Sequence, residues 1–148
     1  MLSVLGGTVY GVTRPHPWRD LRALAHVTLH LTADLGPGVW GATDGARRIW
    51  LDTGLTQRER RSTLAHELVH HTVGHGSHQS ERVERRVDET AAVWLLPDVE
   101  EVLEAARWAR SWQEWAEECR VDVYLMRARM RTMSAPERKA ARAAARVG

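Results

Sequence analysis

His66 and His70 stand four residues apart with Glu67 beside the first, inside the run Thr63-Leu64-Ala65-His66-Glu67-Leu68-Val69-His70-His71. On a helix of 3.6 residues per turn, positions i and i+4 lie one above the other, so two imidazoles would point the same way. Imidazoles so placed can share a tetrahedral zinc ion. Glu67 is offset around the helix. It can take a proton from a water activated by the ion without displacing a ligand, which suits a general base. The chain has eight histidines, which makes a chance match easier than usual. The setting argues against chance. Thr56-Gln57-Arg58-Glu59 reads as a capping box that starts a helix, Leu64, Leu68 and Val73 give it an apolar face, and Gly74 ends it.

A catalytic zinc needs a third protein ligand and an open position. Downstream, Ser80 can cap a helix running to about Leu96. Glu84 and Asp88 are i and i+4 on that helix, close to the face of Ala91, Ala92 and Leu95. A carboxylate on a buried face is costly unless something compensates it, and a zinc ion would do so for Glu84. Asp88 can accept the second N–H of a ligating histidine and fix its tautomer. Glu81 and Glu89 are the rival ligands. Arg82, Arg85 and Arg86 allow the plainer reading of a solvated face laced with ion pairs.

The run from His66 to His70, followed by Glu84-x-x-x-Asp88-x-x-Ala91-Ala92-x-x-Leu95-Leu96-Pro97, resembles the ImmA/IrrE-type metallopeptidases. The resemblance covers roughly residues 15 to 133. Val87 and Thr90 depart from the family's usual Ala and Phe, both at packing positions. The resemblance implies an α+β fold: a minimal zincin-like core of a small antiparallel sheet and two metal-binding helices, then a helical, helix-turn-helix-like C-terminal part. It implies zinc held by His66, His70 and Glu84, Glu67 as catalytic base, and Asp88 orienting a histidine. It also implies the substrate, a helix-turn-helix repressor of phage or mobile-element genes.

At 148 residues the chain fits one compact unit, with a core over residues 1–97 and a helical region over 98–148 packed on it. There is no Phe, but seven Trp supply large apolar surface. The formal net charge is +2, and Lys139 is the only lysine among the cations. The lone Cys119 excludes an internal disulfide. No cysteine-enzyme signature surrounds it, so a half-buried thiol is expected. Residues 1–12 lack the basic start of a signal peptide, and no apolar run approaches a membrane span. A cytoplasmic protein is expected.

The remaining elements must position the two motif helices. Residues 1–13 are expected to form a short strand or none, and Pro17 suits the first turn of a helix over 18–25 with Leu21 and Leu24 inward. His26 to Leu31 alternates as a strand, with Val27, Leu29 and Leu31 on one face. His26 and His30 then lie on an open sheet face. Asp44-Gly45 between residues 39–42 and 47–52 signals a hairpin. The resemblance implies a sheet edge beside the metal with which an extended peptide pairs, and one of these two strands, first that around Ile49 to Leu51, is expected to form it. His75-Gly76-Ser77-His78 can hold an extra ligand or a group that stabilises an oxyanion, although each histidine singly reads first as part of a polar turn, and His71 points away from the site.

After Pro97 a helix over 98–110 buries Val102, Leu103 and Ala106. Ser111-Trp112-Gln113-Glu114 caps the next, and Trp108, Trp112 and Trp115 form one stripe expected in the core. Residues 115–130 supply the helix-turn-helix-like segment, and Ser134 starts a last helix. From Arg120 onward eight Lys or Arg face two acids, a balance that can attract phosphates. The competing reading is therefore a non-catalytic regulator that binds DNA or a partner regulator through this basic end.

Overall fold

The computed structural model describes residues 14–76 and 79–146. The strand considered for residues 1–13, and Ser77 and His78 of the polar turn, lie outside them. The elements run α1 (Pro17–Ala23), β1 (Thr28–Thr32), β2 (Gly41–Thr43), β3 (Arg48–Asp52), α2 (Gln57–Val73), α3 (Glu81–Leu95), α4 (Val99–Trp108), α5 (Trp112–Glu118), α6 (Val123–Thr132) and α7 (Ala135–Ala145). The fold class is α+β, as expected.

The strand order is β1-β3-β2, with β2 antiparallel and β1 parallel to β3. The expected antiparallel sheet is thus corrected to a mixed one. Gly36 and Gly38, at φ 95° and 72°, turn the chain after β1, and β2 is laid down one strand-width away. The β2–β3 hairpin then drops β3 into the gap, antiparallel to its neighbour in sequence and so parallel to β1. Ile49 and Leu51 of β3 are fully buried, which suits a central strand. The edge first expected at Ile49–Leu51 is therefore not β3; of the two outer strands, β2 is the one whose Gly41 lies against Thr63 and Glu67 of the helix that follows. The Asp44 carboxylate, accepting from the N–H groups of Ala46, Arg47 and Arg48 at 2.8–2.9 Å, closes the hairpin turn. Those bonds hold its pKa down at about 2.

α2 starts and stops where its sequence says. Thr56 Oγ1 accepts from Glu59 N–H at 3.3 Å and Glu59 Oε2 accepts from Thr56 N–H at 2.7 Å, a cap that contributes about 1 kcal/mol. Gly74 ends the helix in the left-handed region at φ 77°. Leu64 and Leu68 pack under the sheet with Leu21, Ile49 and Leu51. Ala65 and Val69, on another side, join a larger core with Val87, Ala91 and Leu95 of α3 and residues of α4 to α7. Val73, expected on the apolar face, is 58% exposed, because it lies in the last turn, beyond the sheet. Leu31 is likewise 52% exposed, at the far end of an edge strand.

Trp115 fills the larger core, its indole N–H donating to the Val102 carbonyl at 3.0 Å. The expected tryptophan stripe does not form. α4 ends at Trp108, Ala109 is extended, and Ser111 caps a new helix. The helical spacing is broken, and Trp108 is 74% exposed. α5, the turn at 119–122 and α6 form the expected two-helix segment. Arg120 in that turn has φ 57°, and the Arg61 guanidinium holds its carbonyl at 3.0 Å. Burial, helped by Glu118 and Glu101, pushes the Cys119 thiol up to about 12, which leaves it without thiolate at neutral pH. Among the described residues no helix is long and apolar enough to cross a membrane.

Candidate metal centre

Small side chains bring the motif helices together: Ala65 of α2 and Ala91 of α3 share the larger core with no exposed surface. Across that contact His66 and His70 meet Glu84. Nε2 of His70 lies 3.0 Å from Nε2 of His66 and 3.1 Å from Glu84 Oε2. Nε2 of His66 lies 3.3 Å from the same oxygen. The three atoms form a nearly equilateral triangle. Ligands at ~2.0–2.1 Å from a tetrahedral zinc stand about 3.3 Å apart, so the triangle has the size of one face of such a site. Of Glu84, Glu81 and Glu89, the carboxylates weighed from sequence as the third ligand, Glu84 is the one against the imidazoles. Glu81 is exposed, and Glu89 pairs with Arg131 at 3.2 Å.

Proton accounting supports a cation. Nδ1 of His66 lies 2.8 Å from Asp88 Oδ1, and a carboxylate only accepts, so the proton sits on that nitrogen. Nδ1 of His70 lies 3.0 Å from Nδ1 of His75. If His70 donates there, and at a pH where both rings are neutral, neither imidazole has a proton left on Nε2. Three lone-pair atoms then face one another with no hydrogen between them, a repulsive cluster that a divalent ion would turn into a ligand set. His66, His70 and Glu84 are the group among the described residues that could hold a metal ion.

Glu67 is 5% exposed and lies beside this triangle. Burial, reinforced by the Glu84 charge and opposed by His66, pushes its carboxyl up to about 7. For His66, burial favours the neutral form, but the Asp88 hydrogen bond and the surrounding carboxylates outweigh it and raise the pKa. Burial and the neighbouring His66 depress that of His70. His71 turns away, its ring 5.8 Å from that of His26. His30 stacks on Trp50 at 5.8 Å on the sheet.

Two residues take roles here that the sequence did not give them. One is His75, weighed as an extra ligand or oxyanion group and read first as part of a polar turn, but not as a hydrogen-bond partner of His70. The other is Gly41. A Cβ at Gly41 would lie 2.6 Å from Thr63 Cγ2 and 2.9 Å from Glu67 Oε1. Glycine lets the edge strand lie directly on α2 and on the buried carboxylate. Gly41→Ala is expected to cost about 1–3 kcal/mol by overpacking, seen as a lower thermal midpoint. An unchanged midpoint would mean that the contact is soft.

Residues 24–131 match the family model of the IrrE N-terminal-like domain, a peptidase family. Comparisons with curated proteins and with solved structures gave no significant match.

Proposed function

The chain belongs to the IrrE N-terminal-like family of metallopeptidases, and from that premise we propose that it is a zinc-dependent endopeptidase. The observation that carries the reading is the convergence of His66, His70 and Glu84 to within 4.8 Å beside a buried Glu67. The three would hold the ion, and Asp88 fixes the tautomer of His66. A bound zinc would supply Lewis acidity, acidifying water and polarising a carbonyl. Glu67 takes the proton from the attacking water and hands it to the leaving amine. A carboxyl near neutrality is matched to both transfers. β2, at the sheet edge above Glu67, offers backbone groups for pairing with an extended peptide.

The substrate we propose is a helix-turn-helix repressor of phage or mobile-element genes, cut in the cytoplasm, on the strength of the family resemblance. Purified protein loaded with zinc is mixed with helix-turn-helix repressors of that class, and products are read by mass spectrometry. Cleavage is expected to stop with a chelator and return with zinc. An intact repressor would remove the substrate assignment. Failure to cut unfolded proteins as well would remove the endopeptidase reading.

One observation favours the second reading, a regulator that binds DNA or a partner through its basic end. A cleft of about 320 Å³ on the C-terminal helices is lined by Trp112, Arg127, Met130, Arg131, Arg138 and Arg142. That reading requires no proteolysis, so the same incubation separates the two.

A further inference from the structure

The turn that ends α2 is a Schellman motif. The N–H of Gly74 donates to the His71 carbonyl at 3.1 Å, and that of His75 donates to the His70 carbonyl at 3.0 Å. In this motif the residue after the left-handed glycine folds back onto the residue whose carbonyl it holds, and the two side chains meet. The contact is usually apolar. Here both partners are imidazoles, with Nδ1 of His75 3.0 Å from Nδ1 of His70. Their ring centroids are 5.2 Å apart and their planes inclined by 59°.

We propose that His75 is a positioning residue for the metal centre: its Nδ1 accepts the Nδ1 proton of His70, which leaves Nε2 of His70 free to ligate. The inference rests on the metal reading given above. A ligating histidine almost always donates its second N–H to an acceptor that fixes tautomer and ring orientation. His66 has Asp88 for this task. Among the described residues no carboxylate meets Nδ1 of His70, and His75 takes the place. A neutral acceptor orients the ring without adding charge to the site.

The position of His75 is itself enforced. A Cβ on Gly45 would lie 2.9 Å from the carbonyl carbon and oxygen of His75. One on Gly76 would lie 2.8 Å from the Asp44 carbonyl oxygen. The β2–β3 turn, braced by the Asp44 carboxylate, therefore presses on the backbone of residues 75 and 76. A glycine on each side allows the approach. One hairpin thus supplies both the strand over Glu67 and the stop behind His75.

The test is zinc affinity, measured by competition with a chromophoric chelator on the full chain. His75→Ala is expected to bind zinc about 10–100-fold more weakly. His75→Asn, whose Oδ1 can stand where Nδ1 stood, should stay within about threefold of wild type, since an acceptor remains. Nitrogen NMR of the metal-free protein should show His70 protonated at Nδ1 in wild type and in His75→Asn, and a tautomer mixture in His75→Ala. Equal affinity in wild type and His75→Ala overturns the inference. So does equal weakening in both variants, which would mean that the acceptor is not what matters. A wild-type chain that binds no zinc removes the metal reading, and this inference with it.

Discussion

Glu67→Gln is expected to bind zinc as tightly as wild type while losing about 10²–10⁴-fold in peptide hydrolysis, the usual worth of a positioned general base. The two halves of this expectation have separate causes. Zinc affinity holds because the three converging atoms belong to His66, His70 and Glu84, and the amide keeps the volume of the carboxyl. Hydrolysis falls because an amide cannot take a proton from water. The substitution should not unfold the chain. A buried carboxyl raised to about 7 is costly to ionise, and glutamine has no charge to bury. Elemental analysis, steady-state cleavage and a thermal melt on the same preparation check all three. A variant that cuts at the wild-type rate would take the proton-transfer role away from Glu67.

The second large effect is on stability. Zinc at 100 to 1,000 times its dissociation constant should stabilise the fold by about 2.7–4.1 kcal/mol, a rise in melting temperature of roughly 10 °C for a chain of this size. Glu84→Gln should lose most of that rise. Without metal, stability should depend on pH with a definite sign. Glu67 moves from 4.5 when unfolded to about 7 when folded, so the folded state holds more protons between those values. Stability is full below pH 4.5 and falls as pH rises to 7, by roughly 3 kcal/mol at 1.36 kcal/mol per pKa unit. His66, raised from 6.5, adds a loss in the same direction above that value. His70, depressed from 6.5, opposes it, with stability gained as pH rises through its lowered value towards 6.5. Bound zinc, placed among these groups, should flatten the Glu67 loss because a cation favours the carboxylate. Urea titrations at pH 5 and 8, with zinc and with chelator, measure each part. A metal-free protein equally stable at both values would contradict the assignment of Glu67 as a buried, neutral acid.

What the chain disclosed by reading alone was what depends on near neighbours. The caps at Thr56 and Ser80, the glycine stop at residue 74 and the i, i+4 pairs His66–His70 and Glu84–Asp88 are local devices. Each is found where its spacing put it. The zinc-sized triangle follows once two such helices pack. Sheet order is different. Whether β3 is an edge or the centre depends on β1, some twenty residues earlier, and no local signal reports that pairing. Gly41 looked like an ordinary strand residue, because its need for no side chain comes from Thr63 and Glu67 across the fold. Trp108 shows the opposite error. Its i, i+4 spacing to Trp112 runs across the very cap at Ser111 that the sequence also shows, and the break at residues 109–111 makes that spacing meaningless. His75 was legible in principle. A glycine stop followed by a side chain able to accept a proton, five residues after the second histidine of the motif, is a local pattern with a known geometry.

α2 has no free flank along its middle turns: Leu64 and Leu68 are wedged under the sheet while Ala65 and Val69 are wedged against the C-terminal helices. The rod that carries both imidazoles is therefore gripped like a beam set into two walls. One extra methylene at Ala65 would lever the beam towards the sheet and splay the triangle, though residue 65 touches neither ion nor peptide. The spacing of the three converging atoms is set by this grip as much as by the side chains that carry them.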